Sequence, residues 1–436
     1  MNRLTLLLIA FAALVWIAPS LFAQDQTPTP SPDDIPEPAP LVDEGEYDIL
    51  NILLLGSDTT NPRNAGRTDV ILIVSINRTA QTVAMLSIPR DLYVYIPDHR
   101  VYRINSAYGY GQTEGYVGGG AQLLMDTIQY NLGLHIDHYA RVDFNDFRQI
   151  VDDIGGVEVG VDCALQDWRL REPDLDPTLE ENWEMFTLPV GVHQMDGDLA
   201  LWYARSRRTS SDFDRGRRHQ VLMRAIWQRV RSLNLVEQLT DIWPQTLELV
   251  DTDIPLDTML GLAPMALTID TSRIASYMFR QNHEVISWRS PEGSSVLVPV
   301  RDVMMATLRD FLLPATEQQL IREHAVVEVV NATGWRGMAR VAAERLAWEG
   351  FVPQISNESV LYQDYTVIYD YTGQSKGSSL GVLQSALRVS DGQVRIEPDP
   401  NRTVDFRVVL GGQYYACTYA VAPPEAPTEA DATVGD

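Results

Sequence analysis

The residues able to do chemistry in this chain are arginines and aspartates, set in short groups that lie far apart. Gly56-Ser57-Asp58 closes the first apolar run of the body, and Gly66-Arg67-Thr68-Asp69 opens the second. Pro89-Arg90-Asp91 follows the third run, with Arg103-Ile104-Asn105-Ser106 shortly after. Far downstream come Tyr203-Ala204-Arg205-Ser206-Arg207 and Asp212-Phe213-Asp214-Arg215, ahead of Arg218-His219-Gln220. The stretch 205–231 holds nine arginines against two aspartates, in a chain whose formal net charge is −25. Such a local excess of guanidinium calls for a localised anion. Arginine forks onto phosphate oxygens through paired, charge-assisted hydrogen bonds, and pyrophosphate fits that chemistry. Asp58 and Asp69 could share a magnesium ion, which takes a few carboxylates together with phosphate oxygens. Metal and arginines would then neutralise charge on a departing phosphate. The competing reading is an ion-paired helix face, with Asp58 and Asp69 as turn residues.

These groups need a scaffold. Apolar runs at 47–55, 70–76 and 82–88 predict strands, the last two joined as an antiparallel hairpin by the short turn 77–81. Segment 92–96 alternates and is expected to continue the sheet. Helical spacing at 121–132, stopped by Gly133, predicts a helix. A strand at 139–144, a helix at 146–154 and a strand at 157–161 follow. Segment 166–187, rich in acids and proline, reads as an insertion. Helices are expected at 197–206 and 217–233, and a mostly helical pattern over 234–315. This alternation predicts an α/β fold, an α-β-α domain whose mixed sheet carries helices on both faces. The arginine–aspartate groups then fall at strand ends, where such sheets place ligands. A second unit starts near Ala325, with strands at 326–330, 352–355, 365–369 and 406–410 and helices at 338–348 and 377–387. It reads as a small α+β domain.

Composition bounds the function. The chain has 436 residues and is 45% hydrophobic, which excludes global disorder and a polytopic membrane protein. Its acidity argues against nucleic acid as a partner. Two cysteines, Cys163 and Cys417, exclude a disulfide scaffold and a cysteine-built zinc site. They fall in different predicted domains, and a pairing between them is left open. The seven histidines have no metal-ligand spacing. Gly118-Gly119-Gly120 lacks the lysine of a phosphate-binding loop and reads as a flexible connection. Residues 4–24 are uncharged and follow Arg3, so 1–23 is a signal peptide or a signal-anchor transmembrane helix. Leu21-Phe22-Ala23 is no better than a fair cleavage site, because leucine at the −3 place is not small, and this favours the uncleaved anchor. The body is then expected outside the cytoplasm, held at the cell membrane by one N-terminal anchor, or secreted if the signal is cleaved. Segment 24–46 is a Pro-rich acidic linker with seven acids and no base, expected to stay extended. The end, 421–436, reads as a disordered tail.

The order and spacing of the motifs over 48–231 resemble the LytR-CpsA-Psr family of envelope proteins. The unit holding Val327-Glu328-Val329-Val330-Asn331-Ala332-Thr333-Gly334 resembles the C-terminal domain that often accompanies that family. The resemblance implies an LCP-like catalytic domain at 47–315 and a LytR-type domain at 325–420. It implies a magnesium-dependent phosphotransferase that moves a glycopolymer from a polyprenyl-diphosphate carrier to peptidoglycan. It puts Asp58 and Asp69 at the metal. Arg67, Arg90, Arg205 and Arg207 fall on the diphosphate and, with Asp69, in catalysis. Arg103, Arg215 and Arg218 also fall on the substrate side, with Arg103 standing where lysine is usual. Asp91 would orient Arg90. His219 stands where glutamine is common, beside Gln220, and both are supporting residues. The lipid tail is expected in a groove between the sheet and the helix at 121–132, unless that helix is simple core. Two other readings stay open: a non-catalytic binder of the lipid-linked glycan, and a hydrolase with water as acceptor.

Overall fold

The computed structural model describes residues 35–57, 67–173, 175–313, 325–373, 375 and 377–414. The expected signal or anchor at 1–23, the tail 421–436, Asp58 and Cys417 lie outside the described residues. Among the described residues no helix is long and apolar enough to cross a membrane.

Strand β1 (Ile49–Ser57) is apolar almost throughout, as a strand buried on both faces must be. It pairs antiparallel with β2 (Thr68–Asn77), which turns back into β3 (Thr82–Ser87) as the expected hairpin. Successive side chains leave opposite faces. Leu53 and Leu55 enter one core, while Leu50 and Ile52 enter the other. Full burial of a leucine such as Leu53 contributes about 2 kcal/mol. Next come β4 (Tyr93–Tyr95) and β5 (Val101–Arg103). They pair in a separate ribbon and do not continue the main sheet. All three β4 residues are buried, Tyr93 against Trp288 and Tyr95 against Tyr130, so side-chain packing rather than a sheet edge uses them.

Helices α1 (Ala107–Thr113) and α2 (Gly119–Leu132) cover the first face, with Leu123, Leu124, Ile128 and Leu132 of α2 in its core. Gly133 stops α2 at φ +67, and a Cβ there would lie 2.0 Å from the Pro40 carbonyl oxygen. That closeness reveals a correction. The last part of the expected linker is not a free spacer. Ala39 donates its N–H to Tyr130 O at 2.7 Å, Val42 donates to Gly133 O at 2.9 Å, and Val42 is buried. Prolines lack an N–H, so the few remaining donors settle on α2's terminal carbonyls. Residues 36–42 therefore lie against this domain.

Strand β6 (His138–Asp143) lies parallel to β1, and Asp143 caps α3 (Phe144–Asp153) by accepting from the N–H groups of Asn145 and Asp146. After β7 (Val157–Val161), the expected insertion is an antiparallel hairpin of β8 (Leu165–Leu170) and β9 (Trp183–Leu188). β10 (Gly191–Met195) returns to pair with β7. Helix α4 (Gly197–Arg205) crosses α3 so closely that a Cβ on Gly197 would meet the Arg148 carbonyl oxygen at 2.3 Å. Helix α5 (Asp212–Ser232) starts earlier than the apolar spacing predicts, because Ser211 and Asp214 form a capping box. It covers the second face of the sheet with Met223 and Trp227.

The region expected to be mostly helical holds α6 (Leu239–Leu249), β11 (Asp251–Thr252), α7 (Leu256–Thr268), β12 (Ile274–Met278), β13 (Val285–Arg289), β14 (Ser295–Pro299) and α8 (Arg301–Leu312). β12 pairs parallel with β3 and completes a mixed sheet in the order β11-β6-β1-β2-β3-β12. The three-layer α-β-α arrangement is the one the alternation predicts.

The second domain runs β15 (Val326–Asn331), α9 (Met338–Trp348), β16 (Val352–Ile355), β17 (Val367–Asp370), α10 (Gly377–Leu387), β18 (Val394–Ile396) and β19 (Phe406–Leu410). Its sheet order is β16-β15-β19-β17-β18. Helix α9 docks on the first domain. Gly160 of β7 donates its N–H to Glu344 Oε2 at 2.9 Å, Arg340 pairs with Glu158, and Val190 and Val192 pack into the second core. Buried Asp162 sits between Arg217 of α5, at 2.8 Å, and Arg345 of α9, at 3.7 Å. Cys163, next in sequence, is disulfide-bonded.

Candidate active site

Strands β1, β2 and β6, helices α3, α4 and α5 and the β8–β9 hairpin enclose a cavity of about 540 Å³. Its interior is apolar, with Leu54, Leu72, Val142, Phe147, Leu222 and Met223 on the walls. Asp69, Arg205, Arg207 and Arg215 also line it, so one concavity carries hydrocarbon and guanidinium together. The expected groove beside the helix at 121–132 is not the one formed. That helix, α2, packs into the core on the opposite face of the sheet.

Each charged group is placed by its element. Asp69 is the second residue of β2, Arg205 ends α4, Arg207 lies just beyond it, and Arg215 is in the first turn of α5. Asp69 accepts a hydrogen bond from Arg90 Nη1 at 2.6 Å, and Arg207 Nη2 stands 3.9 Å away. Burial alone would raise the Asp69 carboxyl, but Arg90, Arg207 and Arg215 hold it below the usual carboxylate range. Arg215 is almost fully buried, with Asp212 at 2.9 Å. Burial, and the like charges of Arg90 and Arg207, push its guanidinium down to about 10. A positive group lowered in this way marks a place short of negative charge. The Arg205 guanidinium lies 4.3 Å from the centre of the Phe144 ring.

Around these runs a chain of ion pairs. Asp91 lies 3.5 Å from Arg90 Nε and 3.3 Å from Arg103 Nη1, so it orients both. Arg90 lines a smaller pocket together with Asp69, Arg215 and His219. Arg67 is exposed immediately before β2. His219 also lines the main cavity. Its Nε2 lies 3.1 Å from Ala204 O, and a carbonyl only accepts, so Nε2 carries the proton. Burial beside Arg215 and Arg218 depresses it to about 3, and it stays neutral across the physiological range.

The LytR_cpsA_psr family model matches residues 26–305. The chain belongs to this family. A second model, described as LytR cell envelope-related transcriptional attenuator, matches residues 324–414. TagT of Bacillus subtilis, named a polyisoprenyl-teichoic acid–peptidoglycan teichoic acid transferase, is 29% identical over 228 residues, 51% of this chain and 65% of its own. TagU of Oceanobacillus iheyensis, named likewise, is 32% identical over 219 residues, 50% of this chain and 62% of its own. The chain thus spans somewhat less than two thirds of the length of these relatives. The crystal structure of TagV of Bacillus subtilis has a TM-score of 0.49 at 23% identity, covering 62% of this chain and 98% of that one.

Within this LytR_cpsA_psr chain, four sequence-predicted diphosphate ligands, Arg67, Arg90, Arg103 and Arg218, are outside the lining of the main cavity. Arg218 is buried and spent on the main chain. It donates to Tyr203 O, to Ser206 O at 2.5 Å and to Ser210 Oγ at 2.9 Å. It shapes the 203–210 loop that presents Arg205 and Arg207. Arg103 is held on Asp91, outside the lining of either pocket. Gln220 is fully buried and donates to Ser87 Oγ and Tyr277 O, which ties α5 to β3 and β12. Sequence reasoning missed the β8–β9 hairpin as a wall of the site. Asp167 Oδ2 there accepts the backbone N–H of Arg207 at 2.7 Å and of Arg208 at 3.2 Å. The signal was present in the tryptophans that interrupt its acidic run.

Proposed function

We propose that the chain is a phosphotransferase of the LytR-CpsA-Psr type. It moves a glycopolymer from a polyprenyl-diphosphate carrier to peptidoglycan, at the outer side of a membrane that holds residues 1–23. The observation that carries this reading is the single cavity in which an apolar interior meets Asp69, Arg205, Arg207 and Arg215. An amphiphile with a hydrocarbon tail and a compact polyanionic head is its complement. The names of the TagT and TagU relatives, with a polyisoprenyl-linked donor and a peptidoglycan acceptor, support the same chemistry.

In this reading the tail lies against Leu54, Leu72, Phe147 and Met223, and the diphosphate meets Arg205, Arg207, Arg215 and, past Asp69, Arg90. Arg67 is exposed two residues before Asp69 in the chain. An acceptor hydroxyl attacks the glycan-side phosphorus. The bond from that phosphorus to the bridging oxygen breaks, the hydroxyl's proton passes to the departing phosphate or to water, and polyprenyl phosphate leaves with its charge met by guanidinium. Such a step depends on positioning and electrostatics more than on a protein nucleophile. Arg90 pins Asp69, Asp91 aligns Arg90, and neutral His219 closes the wall without adding charge.

Magnesium belongs to this proposal too. Asp69 offers ionised, hard oxygen, the donor chemistry magnesium takes, and Asp58 would be its second carboxylate. Among the described residues no group of three or more His, Cys, Asp or Glu could hold a metal, so diphosphate oxygens would supply the other ligands. Bound there, the ion would neutralise phosphate charge.

The test uses the full chain in detergent with a polyprenyl-diphosphate oligosaccharide, isolated peptidoglycan and magnesium. The expected result is free polyprenyl phosphate together with oligosaccharide phosphate on the wall polymer. Release without peptidoglycan would replace transfer by hydrolysis, and binding with no release would leave a carrier-binding protein.

A further inference from the structure

We propose that the β8–β9 hairpin is a sugar-binding wall, and that the glycan it accepts is uncharged rather than a polyanionic polymer. This rests on the transferase reading, and deepens it by naming the substrate class.

The hairpin shares the cavity with the charged groups. Trp168, Leu170, Pro173 and Trp183 line it along with Asp69, Arg205 and Arg207. Pairing puts Trp168 opposite Met185 and Leu170 opposite Trp183. By strand alternation these four share one face. Trp168 is 50% exposed and Met185 37%, although both are large apolar side chains. An open apolar face of this kind beside a cavity marks a binding surface. Flat indole rings offer their faces to the C–H face of a pyranose, with a polar handle at the edge.

Charge selects the occupant. Segment 165–188 carries seven acids against two arginines. Carboxylates accept hydrogen bonds and donate none, so they suit the hydroxyl groups of a neutral sugar. A polyol-phosphate chain or an anionic bilayer surface would meet like charge over the whole hairpin, within a chain of formal net charge −25. Of the cavity's arginines, Arg205, Arg207 and Arg215 are gathered at the diphosphate end, Arg148 pairs with Asp198, and Arg169 stands opposite Glu184 in the hairpin. An open indole face on a hairpin of net negative charge therefore fits a neutral oligosaccharide and disfavours an anionic one.

The wall is also fixed relative to the chemistry. Trp202 of α4 donates its indole N–H to Trp168 O at 3.0 Å, and Asp167 holds the backbone at Arg207 and Arg208. Phe186 packs edge-on against Trp202, with the Arg169 guanidinium 5.0 Å from its ring. A sugar seated on Trp168 is thus held in register with the arginine that meets the phosphate.

The experiment is calorimetric titration of the full chain in detergent with a soluble neutral oligosaccharide and, separately, with poly(glycerol phosphate). Transfer from polyprenyl-diphosphate lipids bearing each polymer is measured alongside. The neutral oligosaccharide should bind, Trp168→Ala should weaken it about tenfold, and Trp168→Phe should restore most of the loss. The neutral lipid should be the better donor. Equal binding by Trp168→Ala, or poly(glycerol phosphate) bound as tightly as the neutral sugar, would overturn the proposal. Oligosaccharide binding without turnover of either lipid supports the wall and removes the transferase reading. Turnover with no oligosaccharide binding does the reverse.

Discussion

Helix α5 carries two largely covered arginines two residues apart, with side chains 6% and 13% exposed, that live in opposite electrostatic surroundings. Arg215 faces the cavity. It has Asp212 beside it, but burial and the charges of Arg90 and Arg207 bring its guanidinium down to about 10. Arg217 faces the second domain. Burial would lower it as well, yet Asp162 at 2.8 Å overrules that and raises it. Residue type is the same and each guanidinium has one paired carboxylate, Asp212 or Asp162; what differs is the like charge of Arg90 and Arg207 pressing on Arg215. Positive charge left short of a counter-charge points to a ligand, and positive charge fully met points to architecture.

Removing the counter-charge at the architectural end should have the largest effect. Asp162→Ala leaves Arg217 buried and unpaired, and is expected to cost about 3–5 kcal/mol in urea unfolding. The double change Asp162→Leu with Arg217→Met should recover most of that. A single variant as stable as the parent would erase the contrast between the two arginines. At the other end, Arg207→Ala should lower transfer by about a hundredfold to a thousandfold, as loss of one preorganised charge does. Arg207 is half exposed, so its melting temperature should hold. Parent-level transfer by this variant would show that the cluster is architectural too.

The smallest effect sharpens the comparison through pH. His219 titrates at about 3 in the folded chain, pushed down by burial and by Arg215 and Arg218, against 6.5 for the free side chain. Between those values the unfolded state takes up the proton and the folded state does not. Stability therefore falls as pH drops from 6.5 towards 3, by at most about 1.4 kcal/mol per pH unit for one proton. His219→Gln should flatten the slope of the urea midpoint between pH 6.5 and 4.5. An unchanged slope would mean that the arginines do not press on this ring.

Much of this was legible in residue order. The hairpin of β2 and β3, the helix at 338–348 and the strand at 352–355 follow from periodicity and turn chemistry, which are local. β12 was not legible, because Ile274-Ala275-Ser276-Tyr277-Met278 is short and becomes a strand by pairing with distant β3. The arginine-rich stretch announced an anion, but not which of its nine members would meet it. Arg224, Arg229 and Arg231 hydrogen-bond to the carbonyls of Ile274, Ile154 and Ile269, and Arg218 to its own loop. Guanidinium serves carbonyl and phosphate oxygens with the same fork. Only the fold decides which it finds.

The bare backbone at Gly197 has a long reach. Helix α4 rises about 12 Å from that residue to Arg205 at 1.5 Å per residue. A methyl group at its start would have to displace the Arg148 carbonyl or tilt the rod, and a tilt there swings the far tip like the end of a lever. The aim of a guanidinium thus depends on a position with no side chain, one that an inventory of charged groups would pass over.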